Sequence, residues 1–87
     1  MEIKRIAKCG TFESNDIYVI VEPNSDGGVE INLESIVMKQ FGEQIKKTID
    51  ETVKSFGIKS IKITAKDRGA LDYTIKSRVE TAIKRAL

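Results

Sequence analysis

Apolar and polar residues alternate along several short runs of this chain and recur every third or fourth position along two longer ones. Ile17-Tyr18-Val19-Ile20-Val21-Glu22 is rich in β-branched residues and apolar on both alternating sets. That composition suits a central strand, or one whose second face is covered by another subunit. Pro23 ends it, and Asn24-Ser25-Asp26-Gly27-Gly28 supplies dense turn chemistry. Val29 to Glu34 then alternates cleanly, which places Val29, Ile31 and Leu33 inward. Strand, turn, strand predicts a β-meander. A weaker, partly charged run from Ile3 to Thr11 predicts an edge strand ahead of it.

Two helices follow from the longer periodicity. Ser35 has N-cap character. After it, Val37, Phe41, Ile45, Ile49, Val53 and Phe56 form one stripe on a helix of about six turns. Lys39, Glu43, Lys46, Lys47, Asp50, Glu51 and Lys54 take the wet side, and Gly57 is placed to close the helix in the left-handed conformation. Ile58 to Lys66 alternates again, with Ile61, Ile63 and Ala65 inward. Asp67-Arg68-Gly69 turns the chain, and Asp67 is placed to cap a second helix carrying Leu71, Ile75, Val79, Ile83 and Ala86 on one stripe. The order β-β-β-α-β-α predicts an α+β two-layer sandwich, a mixed β-sheet with two helices on one face, in a single domain spanning residues 1–87.

Composition narrows the function more than the fold. The 15 basic and 13 acidic residues are spread along the chain and leave a net charge of +2. A nucleic-acid surface would concentrate basic residues on one face, so no nucleic-acid partner is expected. No apolar run reaches the length of a membrane span, and the first residues lack the pattern of a secretory signal. Cys9, the one cysteine, excludes an internal disulfide. Together these predict a cytoplasmic protein. With no histidine in the chain, there is no Ser-His pair, no imidazole base and no histidine metal site. The chain is therefore expected to have no catalytic residues and no metal ligands. Cys9 reads as a small core-facing strand residue, with a redox role the lesser alternative. Lys46-Lys47 and Lys84-Arg85 read as solvated faces, with steering of acidic partners the lesser one.

One polar break stands out. Glu13-Ser14-Asn15-Asp16 separates two apolar runs and reads as a tight turn in which Asn15 tolerates a left-handed backbone. Ser14 then stands at the tip of a hairpin with its hydroxyl outward. Gly10-Thr11-Phe12-Glu13-Ser14-Asn15-Asp16 resembles the Gly-Thr-Leu-Glu-Ser-x-Asp signature of the citrate lyase acyl carrier proteins. Val37-Met38-Lys39-Gln40-Phe41-Gly42 is similar to that family's Val-x-Lys-Gln-Phe-Gly. Asp67-Arg68-Gly69-Ala70-Leu71-Asp72 is similar to its Asp-Lys-Gly-Ala-Leu-Asp, and Arg78 to Ile83 continues the match. Phe12 replaces the usual leucine and Tyr73 a frequent cysteine, and neither departure touches the serine.

The resemblance implies a carrier and not an enzyme. Ser14 would be esterified, through a phosphodiester, to 2'-(5''-phosphoribosyl)-3'-dephospho-coenzyme A, installed by a separate prosthetic-group transferase. The arm would exchange acetyl for citrate on the alpha subunit of citrate lyase. Cleavage on the beta subunit would then release oxaloacetate and regenerate the acetyl thioester. Thr11, Glu13, Asn15 and Asp16 either are read by the transferase or shape the turn. Gly10 is expected to serve backbone geometry, and Asp67, Gly69 and Asp72 capping and turning before partner contact. The attachment motif of the fatty-acid carriers, which opens a helix, is absent, so the chemistry would be shared and the fold not. The acyl carrier subunit of malonate decarboxylase is the alternative, and a small RNA-binding module a remote one. The latter needs a row of exposed strand aromatics, for which Tyr18 is the only well-placed candidate.

Overall fold

The computed structural model describes residues 1–87. The elements run β1 (Ala7–Gly10), β2 (Ile17–Glu22), β3 (Gly28–Ser35), α1 (Met38–Ser55), β4 (Ser60–Asp67) and α2 (Asp72–Ala86). This is the expected α+β order, but the strands are not neighbours as a meander would have them. The sheet order is β1-β2-β4-β3. β4 lies antiparallel to β2 and parallel to β3, with α1 as the crossover between the parallel pair.

The reason is visible in burial. Ile61, Ile63 and Ala65 of β4 are wholly shielded from water, while Val29 of β3 is exposed and Ile31 and Leu33 are half-buried. The more apolar strand takes the centre and the strand rich in Glu and Asn takes the edge, where its polar groups stay hydrated. The connection between β2 and β3 accommodates the inserted strand. Asn24 Nδ2 donates to the carbonyls of Gly27 and Gly28 at 3.0 and 3.2 Å, and Ser60 Oγ donates to the carbonyl of Asn24 at 2.8 Å. The head of β4 is thus pinned to the loop that a meander would have closed as a hairpin.

Register lines up the inward side chains in rows across the sheet. Ala7, Val21, Ile63 and Ile31 form one row, and Cys9, Val19, Ala65 and Leu33 the next. A third row, Ile17, Asp67 and Ser35, is polar at one end. Both helices close over this face, α2 on β1 and β2, α1 on β3, and the two helices against each other. Ile45, Ile49 and Val53 of α1 and Ile75, Val79, Ala82 and Ile83 of α2 complete one cluster of 18 buried residues, Cys9 among them. Gly57 closes α1 with φ of +68°, as its position after the stripe implied.

Both helical stripes stop short of where periodicity carried them. α1 begins at Met38, and Phe41, on its first turn, is 55% exposed. Leu71 precedes α2 and is 59% exposed. The sheet ends at Ser35 and Asp67, so it offers the first turns of the helices no surface to pack on. Ser35 is the last residue of β3 and no N-cap, and Asp67 does not cap α2, whose N-cap position is Leu71. β1 is four residues long, since Ile6 turns outward and the backbone N–H groups of Lys4 and Arg5 donate to the carbonyl of Ala86.

Ile49→Ala is expected to cost about 2–5 kcal/mol of stability, because it opens a cavity in a closed core. Phe41→Ala is expected to cost less than about 1 kcal/mol. Urea denaturation of the two variants reads the difference, and equal losses would contradict this packing.

Candidate functional site

The loop between β1 and β2 is held from three sides. At its base Gly10 adopts φ of +108°, and a Cβ there would lie 1.8 Å from the carbonyl oxygen of Ile17. Only glycine lets the two strands approach so closely. Thr11 Oγ1 accepts from the backbone N–H of Glu13 at 3.2 Å and donates to Asp16 Oδ2 at 2.7 Å. The N–H of Asp16 donates to the carbonyl of Glu13 at 3.3 Å, which closes a turn over Glu13–Asp16. Asn15 supplies the left-handed residue of that turn, with φ of +65°.

The second brace is the junction of β4 with α2. The N–H of Asn15 donates to the carbonyl of Arg68 at 2.8 Å, and the N–H of Arg68 donates to the carbonyl of Asp16 at 2.9 Å. That junction is itself fixed by Asp67, which is 2% exposed. Its carboxylate accepts from the N–H groups of Gly69 and Ala70 at 3.1 and 3.0 Å and from Ser35 Oγ at 2.8 Å. Ser35 Oγ in turn accepts from the N–H of Val37 at 3.1 Å. One buried carboxylate therefore ties the ends of β3 and β4 to the start of each helix, leaving none of its demand for partners unmet.

The third brace is ionic. Arg78, on α2, donates from Nε to Asp16 Oδ1 at 2.9 Å and from Nη2 to Asp16 Oδ2 at 2.7 Å. This two-pronged pair is the strong geometry for a guanidinium on a carboxylate. The N–H of Ile17 adds a bond to Asp16 Oδ1 at 2.7 Å. Hydrogen bonding from Arg78 first, then from Thr11 and Ile17, outweighs burial and lowers the Asp16 carboxyl from 3.8 to about 2.

Within this frame Ser14 is exposed at the turn, with Glu13 and Asn15 exposed on either side. The polar side chains of Thr11 and Asp16 are engaged in holding the loop, and the hydroxyl of Ser14 is not among them. Thr11 and Asp16 thus shape the turn. Phe12 leans on Tyr18, their ring centroids 4.6 Å apart. No three His, Cys, Asp or Glu side chains come together as a group that could hold a metal ion.

Beside the loop, between the first turns of α1 and the start of α2, runs an open groove of about 500 Å³. Val37, Phe41, Ala70, Leu71 and Tyr73 give it apolar walls, and Gln44 and Asp72 its polar groups. Phe41 and Leu71, placed in the core by periodicity, are here instead. Gly69 joins groove to loop, since Asn15 Oδ1 lies 3.7 Å and Ile36 Cδ1 3.9 Å from where a Cβ on it would stand. Sequence reasoning missed this groove and the part played by Arg78. The one signal for Arg78 is a cation beside Val79 on the buried stripe of α2, which asks for a buried acidic partner.

Comparison with known proteins gives this arrangement its class. Residues 4–86 match the model of an acyl carrier protein family described as the malonate decarboxylase delta subunit (MdcD). The chain is 55% identical over 86 residues to the citrate lyase acyl carrier protein of Halothermothrix orenii, covering 99% of this chain and 90% of that one. It is 51% identical over 86 residues to its counterpart in Streptococcus mutans, covering 99% and 84%. Among solved structures, a chain of a Pseudomonas malonate decarboxylase hetero-tetramer in complex with malonate shares the fold, with a TM-score of 0.76 at 16% identity over 100% of this chain and 93% of that one. The class is that of the small acyl carrier proteins of multi-subunit enzymes. This chain belongs to the citrate lyase acyl carrier protein family. Malonate decarboxylase falls under the same family model, and identity at about half of all positions favours citrate lyase over it.

The Asp16–Arg78 pair makes a testable statement about acid stability. The folded carboxyl titrates at about 2 against 3.8 when free. Its contribution is therefore present above about pH 4 and is lost as pH falls from there towards 2. That contribution is on the order of 2 kcal/mol at neutral pH. Arg78→Gln is expected to lower stability at pH 7 by about that amount or more and to flatten the loss between pH 4 and 2. Denaturation midpoints measured across that range would show parallel acid limbs in the two proteins if the pair contributed nothing.

Proposed function

We propose that Ser14 carries 2'-(5''-phosphoribosyl)-3'-dephospho-coenzyme A through a phosphodiester, and that residues 1–87 act as a single carrier domain of citrate lyase. The observation that carries this reading is an exposed serine with a free hydroxyl on a turn braced at three points. The residues fit the group. A phosphodiester at the turn stays hydrated, so its charge is not buried, and the rigid base gives a long arm a fixed pivot. The group supplies a thiol that carries acyl units as thioesters between the alpha and beta subunits.

This chain contributes position and not bond-breaking. Ser14 needs no activating base, because a separate transferase installs the arm; Glu13 and the exposed edge of Asn15 are what that enzyme can read beside the serine. Tethering holds the thiol at an effective concentration on the order of mM near each partner site, so acyl units need not diffuse between them. The chain works in the cytoplasm among those partners. Its one thiol, Cys9, is free and buried, and no helix is long and apolar enough to cross a membrane.

Ser14→Ala is expected to shift stability by no more than about 0.5 kcal/mol and to abolish attachment. Peptide mass spectrometry on the chain isolated from its native cell during growth on citrate reads the adduct. A peptide containing unmodified Ser14, with citrate lyase active in the same cells, would refute the assignment.

A further inference from the structure

The groove beside the loop has the size and chemistry of a ligand site. Its volume of about 500 Å³ falls in the range of small-molecule pockets, and such sites are mostly apolar with a few placed polar groups. Phe41, Leu71 and Tyr73 are exposed along it, although exposed aromatic and aliphatic side chains grouped together mark a surface that something covers. Its two polar groups meet, Gln44 Nε2 donating to Asp72 Oδ2 at 3.3 Å. An amide donor and a carboxylate acceptor side by side match the carbonyl and N–H of an amide-containing chain.

We propose that this groove is the resting site of the thiol-bearing, amide-containing end of the arm on Ser14. The inference rests on the attachment proposed above. Position argues for this occupant. Asn15, the residue after Ser14, is bonded to Arg68, and Gly69 next to it forms the groove wall. Charge argues the same way. Arg68 is exposed at this junction and takes part in none of the ion pairs of the structure, so the residue whose backbone is bonded to both Asn15 and Asp16 also carries a free cation.

Magnitude separates a tethered occupant from a free one. A groove this open holds a linear chain weakly. With the arm at an effective concentration on the order of mM, a dissociation constant of about 1 mM already gives about half occupancy. A free ligand at micromolar concentration would leave the groove empty. The same weakness lets the arm leave when a partner site offers more. The resting state shields the thiol, and after loading the thioester, from bulk water and foreign nucleophiles.

The test compares the apo-protein with protein loaded by the transferase, attachment being verified by mass spectrometry. Amide NMR shifts are expected to change at Phe41, Gln44, Leu71 and Tyr73 as well as at residues 13–16. Reaction of the arm's thiol with a disulfide reagent, over an apo-protein baseline for Cys9, is expected to be about twofold slower than in the loaded Phe41→Asp and Leu71→Asp variants. Both positions are exposed, and apo spectra confirm that the variants fold. If the adduct is present but shifts stay within residues 13–16 and the thiol rates agree, the groove is not the resting site and attachment stands. Groove shifts that arise only when a partner subunit is added would give the groove to that partner instead. A chain that never acquires the adduct overturns both readings.

Discussion

The insertion of β4 between β2 and β3 is the constraint from which the rest of this structure follows. A strand flanked on both edges must be apolar on its inner face, and Ile61, Ile63 and Ala65 meet that demand completely. Parallel pairing with β3 needs a crossover long enough to return the chain to the start of the sheet, and the 18 residues of α1 provide it. The crossover brings both helix starts and the ends of β3 and β4 to one edge of the molecule. There the sheet finishes in a polar row, Asp67 beside Ser35, and the Asp67 carboxylate gathers the N–H groups of Gly69 and Ala70 directly and that of Val37 through Ser35 Oγ. The loop between β1 and β2 sits on this knot.

The division of labour in the loop is one of burial. Two carboxylates, Asp16 and Asp67, are shielded from water and fully bonded, while the serine between the strands is exposed. A buried carboxylate without partners would cost several kcal/mol, and here each has a guanidinium, a hydroxyl or backbone amides in contact. Polar groups inside are rigid because they are satisfied, and the polar group outside is free because nothing in the loop requires it. A pivot needs both conditions together.

How much of this was legible in the sequence depended on whether a feature was local. β-branched alternation placed β2 and β4, and helical spacing placed the middles of α1 and α2. The left-handed positions at Asn15 and Gly57 followed from residue type. Contacts between distant segments were not legible. Alternation in Val29 to Glu34 is the same for a hairpin partner of β2 and for an edge strand beside β4, so the meander was a natural misreading. Periodicity also carries no information on where a sheet ends. Phe41 and Leu71 keep the spacing of core residues yet project past the last row of side chains. Asp67 followed the same logic: a carboxylate before a helix reads as a cap, but its geometry serves the whole junction. The motif around Ser14 was the exception, legible because its turn is built from neighbours.

Yet the turn is only half local. Its lower half is bonded to Arg68, and Asp16 is held by Arg78 across a sequence separation of 62 residues. Neither contact exists until β4 has entered the sheet and α2 has docked across β1 and β2. A nascent or partly collapsed chain therefore displays the serine without the shape around it. An enzyme that read the shape would discriminate finished molecules from unfinished ones.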